Sequence, residues 1–324
     1  MSQPSTQSEQ PVICIVGPTA SGKTDVAQLL ALRCGGEVVS ADSMQIYRGM
    51  DIGTGKLPVR DRLVPHFGFD LVDPGEPYSA AVYQAYARAC FADIASRGKR
   101  AFLVGGTGLY VRAAIDAYDF PKGEQVQNPV RDRWNAYADE HGAQALWDRL
   151  HDTDPESAAV IHPNNTRRVV RAFELLAEGS SYAEQKRNLA HIEQAIPACF
   201  IGLSVDPELL KARIDRRVDS MVENGLVDEV KRLLDAGFRD GVTAPQAIGY
   251  KEIVAALDGA ITLDEAIDQI KLATRRYAKR QRTWFRKDNR IVWVDANSGD
   301  AEAIATKTQH ILDTMGNWSR ERNA

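Results

Sequence analysis

Several things are missing from this sequence, and each absence removes a class of protein. No apolar run approaches the roughly 18 residues that a membrane-spanning helix needs. The opening MSQPSTQSEQP has neither the basic start nor the apolar core of a secretory signal. Residues 1–10 are therefore expected to be a short disordered tail, and the chain a cytoplasmic protein with no membrane partner. Only four cysteines occur, Cys14, Cys34, Cys90 and Cys199, with no C-x-x-C pair. They are expected to be reduced and mostly buried, not part of a disulfide framework. The six histidines lack H-x-x-x-H or H-E-x-x-H spacing, which argues against a structural transition-metal centre. An excess of one charge is missing too. Forty Lys and Arg against 44 Asp and Glu leave −4, so a nucleic-acid site has to be a local basic patch.

What remains is the composition of a globular chain, 44% hydrophobic and 26% charged over 324 residues, with no fixed-period repeat or low-complexity tract. That length suits one large domain or two smaller ones. Short apolar runs rich in β-formers alternate with helical stretches: VICIVG (12–17), EVVSAD (37–42), FDLVDP (69–74), AFLVGG (101–106), CFIGLSV (199–205) and IVWVDA (291–296). Near-continuous apolar strands separated by helices predict an α/β fold, a parallel sheet covered on both faces. The alternation stops between Pro121 and Pro197, where Asn128-Pro129, Gly142, Asp154-Pro155, Pro163 and Gly179 punctuate helices. The expected organisation is a core over 11–120 and 198–300, an all-helical insertion over 121–197, and a C-terminal helix and tail over 301–324. Asp206-Pro207 opens one later helix. A longer one runs from about Leu263 to Arg286 on a stripe of Leu263, Ile267, Ile270, Thr274, Tyr277, Gln281 and Trp284.

Gly17-Pro18-Thr19-Ala20-Ser21-Gly22-Lys23-Thr24 fits G-x-x-x-x-G-K-[ST], directly after a strand and before a helix. Its glycines let backbone N–H groups turn inward around phosphate oxygens. Lys23 adds a cation, and the Thr24 hydroxyl is a ligand for Mg²⁺. The loop predicts a polyphosphate or pyrophosphate site, but it does not name a reaction. The strand AFLVGG ends in Gly105-Gly106-Thr107-Gly108, where Thr107 either approaches a ligand or caps the next helix. Asp42, in SADSMQIY, sits at a strand's carboxyl edge, where ligands of open α/β sheets bind. With Gln45 it also fits a capping box; beside a nucleophile it is placed to accept a proton. Arg213 and Arg217, four apart, either share an anion or are relieved by Asp215 and Asp219.

Residues 271–290 carry nine Lys or Arg and one Asp, interleaved with Tyr277, Trp284 and Phe285. Cations with aromatics suit phosphate neutralisation and stacking on unpaired bases, and a second cluster lies at Arg167, Arg168 and Arg171. A solvated helix face is the alternative for either.

These blocks together resemble the tRNA dimethylallyltransferase (tRNA isopentenyltransferase) family over about residues 11–300. The matching segments are GPTASGKT (17–24), SADSMQIYRGMDIGTGK (40–56), GGTGLY (105–110), NTRRVVRAFE (165–174), RIDRRVDSM (213–221), QAIGYKE (246–252) and KRQRTWFRK (279–287). The resemblance implies transfer of the dimethylallyl group of dimethylallyl diphosphate to the exocyclic amine of the adenosine 3′ of the anticodon. The loop would then grip the isoprenoid's diphosphate, although such loops are commonly labelled ATP-binding. It also implies Asp42 as the base, Thr107 and Arg217 near the transferring group, and Lys23 with Thr24-bound Mg²⁺ on the leaving group. The tRNA contacts it implies are Asp42, Ser43, Met44 and Gln45; Arg167, Arg168, Val169, Val170 and Arg171; Gln246, Ala247, Ile248, Gly249, Tyr250 and Lys251; and Lys279, Arg280, Gln281, Arg282, Thr283, Trp284, Phe285 and Arg286. The start of the insertion matches loosely, with Arg131 the one suspected contact there. No protein partner is implied, so a monomer suffices. The alternatives are an adenylate isopentenyltransferase acting on free AMP, a small-molecule kinase and a non-catalytic RNA-binding switch.

Overall fold

The computed structural model describes residues 10–120, 128–190 and 192–321. The expectations for the tail at 1–9, the opening of the insertion at 121–127 and the end at 322–324 fall outside the described residues. Six parallel strands form one sheet: β1 (Val12–Val16), β2 (Gly36–Ser40), β3 (His66–Phe67), β4 (Arg100–Gly105), β5 (Ala198–Ser204) and β6 (Ile291–Asp295). Their order is β3-β2-β4-β1-β5-β6. All of β1 and β2 is buried. Successive side chains of a strand point to opposite faces, so both faces are covered, which is why β1 is continuously apolar and why Glu37, the buried acid of β2, is paired with Arg97 and Lys99.

One strand differs from expectation. The run 69–74 is not a strand; His66–Phe67, just before it, pairs with β2, and Val72 alone makes a bridge, to Tyr47. Gly68 (φ 86°) and Asp70 (φ 56°) both adopt left-handed backbone and break the extended chain. Asp70 is turned to accept a hydrogen bond from Lys56 at 2.6 Å.

The helices follow in chain order. α1 (Lys23–Cys34), α2 (Ala80–Ser96) and α3 (Gly108–Ile115) belong to the sheet unit, residues 1–115 with 195–324. A second compact unit, residues 116–194, holds α4 (Pro129–Thr153), α5 (Pro155–Ala159), α6 (Thr166–Ala177) and α7 (Tyr182–Ala190). Asn128 caps α4, Asp154 caps α5, and α4 is broken at Gly142 (φ 86°). Its core joins Leu146, Leu150, Val169, Val170 and Phe173, with Trp134 stacked on Phe173 at 3.7 Å. Buried Glu174 is held there by Arg131 (2.5 Å) and Arg171 (2.7 Å).

The chain returns to the sheet unit with α8 (Pro207–Glu223), α9 (Leu226–Asp235), α10 (Tyr250–Leu257), α11 (Leu263–Phe285) and α12 (Ala301–Glu321). Asp206 caps α8 by accepting from the Glu208 N–H at 3.0 Å. A reciprocal pair, Thr262 and Glu265, starts α11. The inward side of α11 is not quite the expected stripe. Ile270 and Gln281 are buried, but Leu263 and Trp284 are both 42% exposed, while Ala266, Ala278 and Phe285 point in. A straight helix drifts about 20° per seven residues against a strict 3.5-residue repeat, so three repeats carry the ends of the stripe out of the interface.

Candidate active site

The phosphate loop leaves the carboxyl end of β1, between β4 and β5, where the strand order reverses and ligands of open α/β sheets bind. Gly17 (φ 148°) lies so close to β5 that a Cβ would stand 2.9 Å from the Leu203 carbonyl oxygen. Lys23 folds back and donates to the Pro18 carbonyl at 2.6 Å. Burial lowers its pKa to about 8; the Asp42 charge opposes this and the Arg217 charge adds to it. Ser21 is 1% exposed and its hydroxyl has no partner among the described residues, a donor that an anion would satisfy.

Asp42 and Thr107 come together because the ends of β2 and β4 are joined by backbone. The Ala41 N–H donates to the Val104 carbonyl at 2.7 Å, and the Thr107 N–H to the Ala41 carbonyl at 3.2 Å. A Cβ on Gly105 would stand 2.2 Å from that same Ala41 oxygen. The Thr107 hydroxyl accepts from the Ser43 N–H (3.1 Å) and the Asp42 carboxylate from the Met44 N–H (2.9 Å). Thr107 stands just before α3 and its carbonyl accepts from the Val111 N–H at 3.1 Å, but its hydroxyl serves Ser43, and Asp42 caps no helix. Residues 43–46 form turns, and Gln45 accepts from the Ser40 hydroxyl (2.8 Å) while donating to the Thr54 carbonyl (3.3 Å).

Of the three arginines on α8, one enters the site. Arg213 donates to the carbonyls of Ala296 and Asn297, while Asp215 and Asp219 pair with Arg275 and Lys271 on α11. Arg217 lies against Gly55 (φ 62°), where a Cβ would come within 1.9 Å of its Nη2. Burial lowers the pKa of Arg217, with Asp42 and Asp25 opposing, yet guanidinium stays charged in proteins. The loop presenting Thr54 and Gly55 rests on Glu229. This carboxylate, 2% exposed, accepts from the N–H groups of Asp51, Ile52 and Gly53 at 2.8–3.2 Å and from the Tyr250 hydroxyl at 2.6 Å. Lys56 bonds Asp51, Asp70 and the Tyr47 carbonyl. Sequence reading missed Thr54, Gly55, Lys56 and Glu229 as site-forming residues; Gly-Thr-Gly-Lys at 53–56 is a visible signal, whereas Glu229 is an ordinary helix acid until the chain folds.

Two cavities meet here. One of about 200 Å³ covers the phosphate loop, with Lys23, Thr24, Gln45 and Gly106 in its wall. The other, about 280 Å³, is bounded by Met44, Val218, Met221, Ile248, Ile270 and Tyr277, with Arg280 also in its wall. Thr19, Asp42, Thr54 and Arg217 line both. Burial pushes the Tyr277 phenol up to about 12 and the Asp42 charge adds to this, while hydrogen bonding with Thr107 and Gln281 works against it.

The blocks expected to contact RNA are divided by the faces of their helices. Val169 and Val170 are core residues of the second unit, and Phe285 is buried in the first, so those side chains are closed to an incoming macromolecule, whereas Tyr250, though buried, lies in the wall of the second cavity. Arg131 and Arg171 are committed to Glu174. Gln246, Ala247, Ile248 and Gly249 line the second cavity, and Gln281 faces the phosphate loop. Arg167, Arg168, Lys251, Lys279, Arg280, Thr283, Trp284 and Arg286 are exposed. Arg282 is half-buried and lines a separate cavity with Arg286 and Trp293. No helix among the described residues is long and apolar enough to cross a membrane.

The sequence profile of the family described as IPP transferase matches residues 45–288, and that of isopentenyl transferase residues 10–64. A tRNA dimethylallyltransferase of Halalkalibacterium halodurans is 47% identical over 90% of this chain and 93% of its own. A crystal structure of a full-length tRNA isopentenylpyrophosphate transferase from Bacillus halodurans superposes with a TM-score of 0.70 at 43% identity, covering 97% of this chain and 99% of that one. A eukaryotic dimethylallyltransferase captured acting on tRNA aligns with a TM-score of 0.79 at 29% identity, over 95% of this chain and 80% of that one.

Proposed function

The chain belongs to the tRNA dimethylallyltransferase family, and on that premise we propose that it moves the dimethylallyl group of dimethylallyl diphosphate onto the exocyclic amine of the adenosine 3′ of the anticodon in tRNA, releasing diphosphate. The observation that carries the reading is that Asp42 and Arg217 stand in the wall common to two cavities of different character. Diphosphate occupies the cavity over the phosphate loop, and the adenine with the five-carbon chain occupies the other.

In the transfer a bond forms from the amine nitrogen to the allylic carbon, the bond from that carbon to the diphosphate oxygen breaks, and one amine proton leaves. The amine is a poor nucleophile because its lone pair is shared with the ring, so a base must take the proton as the bond forms. Asp42 is that base, its carboxylate oriented by the Met44 N–H. Thr107 holds the Ser43 end of the same turn. Charge collects on the departing diphosphate, where Lys23, Arg217 and the inward N–H groups of the phosphate loop stabilise it. Mg²⁺ suits the hard oxygen donors here, with Thr24 as the protein ligand. When bound, it neutralises charge on the leaving group. The adenine leaves its stack to reach the carbon, at a cost of a few kcal/mol that is smaller in a loop than in a duplex. Exposed Lys279, Arg280 and Arg286 on α11, and Arg167 and Arg168 on α6, neutralise RNA phosphates. The reading needs no membrane and no second protein chain; a cytoplasmic monomer carries out each step.

The test is transfer of label from dimethylallyl diphosphate, with Mg²⁺, to unmodified tRNA beside parallel tubes of free AMP. Label in tRNA is expected. Label confined to AMP would retain the site and overturn the RNA substrate, and label in neither would overturn the reaction.

A further inference from the structure

Gln281 belongs by position to the basic, RNA-facing segment of α11, yet its side chain turns the other way. It is 5% exposed and, from the C-terminal part of the chain, bridges two loops of the N-terminal third. Its Oε1 accepts from the Thr19 N–H of the phosphate loop at 2.8 Å, and its Nε2 donates to the Gly106 carbonyl, in the turn after β4, at 2.9 Å. The fit leaves no slack, since a Cβ on Gly106 would stand 2.1 Å from that Nε2. The same side of α11 continues along the turn, where a Cβ on Gly108 would stand 2.1 Å from the Trp284 indole nitrogen.

We propose that Gln281 is a positioning residue for the transfer reaction, an inference that rests on the function proposed above. Its amide fixes the phosphate loop against the Gly105–Gly108 turn, and therefore the diphosphate against Asp42 and Thr107. The chemistry is specific to an amide. One end must accept from an N–H while the other donates to a carbonyl. Glutamate would set a second acceptor against the Gly106 oxygen, methionine fills the space with no hydrogen bond, and asparagine carries the right groups one carbon short. By taking up the Thr19 N–H, Gln281 also withdraws one backbone donor from the anion, leaving the diphosphate to the donors closer to α1. A misplacement of about 1 Å between reacting groups is worth roughly 100-fold in rate, so a tie of this kind acts on kcat through the loops it joins, at the edge of the phosphate-loop cavity that Gln281 also lines.

The experiment uses the full chain with Gln281→Met and, separately, Gly106→Ala, whose added methyl displaces the amide from the other side. Three quantities are read: kcat for transfer, the affinity for inorganic diphosphate without RNA, and the affinity for an anticodon stem-loop. Gln281→Met is expected to lower kcat by roughly 100-fold. Diphosphate binding weakens with it, and stem-loop affinity stays within about twofold because the buried amide cannot reach RNA. Gly106→Ala is expected to reproduce the diphosphate defect in the native background and to add little in Gln281→Ala, where the methyl has room. Three results overturn the proposal: loss of stem-loop affinity with kcat and diphosphate binding intact; a lowered melting temperature with both intact; or full additivity of Gly106→Ala and Gln281→Ala. If the unaltered enzyme transfers no label to tRNA, the functional reading fails, while the diphosphate titrations still decide whether Gln281 ties the loop.

Discussion

In the reaction proposed above three charged side chains share the chemistry, and Asp42 acts on the other two. Asp42 raises the pKa of Lys23 and of Arg217, while burial lowers both. Asp42→Ala removes the proposed proton acceptor without disturbing exposed basic residues. It is expected to reduce transfer by about 10²–10⁴-fold. Stem-loop affinity, measured by filter binding, should not move, and a matching loss of RNA affinity would make Asp42 an RNA contact instead of the base. Lys23 leads to a stability prediction. Its folded pKa, about 8, lies below its unfolded value of 10.5, so the unfolded chain binds more protons between those values. Stability then rises as pH climbs from about 8 to 10.5, and below 8 the ammonium carries the full cost of burial. Lys23→Met is accordingly expected to stabilise the ligand-free protein at pH 7. The gain is on the order of 1–3 kcal/mol, allowing for the part of the side chain still in water. Diphosphate binding should be lost in the same variant. Denaturant melts with and without diphosphate check both signs.

At the scale of elements, short strands meet tight turns, and the turns carry the residues of the candidate site. The closures Ala41–Val104 and Thr107–Ala41 bring Asp42 and Thr107 together, and neither depends on a side chain that a sequence reader would single out. Elsewhere α4 and α6 are joined by the carboxylate of Glu174, which is 2% exposed. Burial pushes its pKa up, but hydrogen bonds from Arg131 and Arg171 outweigh this and hold it below the usual 4.5. A depressed carboxylate contributes stability above the unfolded pKa and loses it as pH falls through the folded one. Glu174→Gln is expected to destabilise the second unit by about 1–3 kcal/mol near neutral pH. The loss should begin to fade near pH 4.5, where the unfolded carboxylate takes up its proton, and be gone once pH has fallen through the lower folded value, where the native one does. Fluorescence of Trp134 and Trp147, followed through an acid titration of both proteins with the other tryptophans replaced, measures it; an equal loss at pH 3 and pH 7 would exclude the linkage.

For the whole molecule, the contrast is between a chain of net charge −4 and a helix crowded with cations. The structure neutralises part of that crowd: Lys271 and Arg275 serve α8, and Arg290 pairs with Asp288. Arg280 and Arg282 have no such partner among the described residues, and they line different cavities. Charge reversal at either is expected to weaken tRNA binding and flatten its dependence on salt, by about one counterion or more per position. Binding measured over a series of salt concentrations decides it. An unchanged slope would mean that these arginines do not meet phosphate.

The sequence by itself determined the α/β class, five of the six strands nearly to the residue, and the phosphate loop, because these depend on local pattern: apolar runs, glycine spacing and caps. It also carried the family, because blocks in a fixed order survive without knowledge of how they fold. Tertiary structure alone decided which side of a helix each residue of a block occupies. Val169 and Val170 went to a core, Gln281 to the phosphate loop, Arg213 to backbone carbonyls and Arg217 to the site. Neighbours on a helix point about 100° apart, so a contiguous motif cannot share one role, and only the packing of distant elements assigns each member its own.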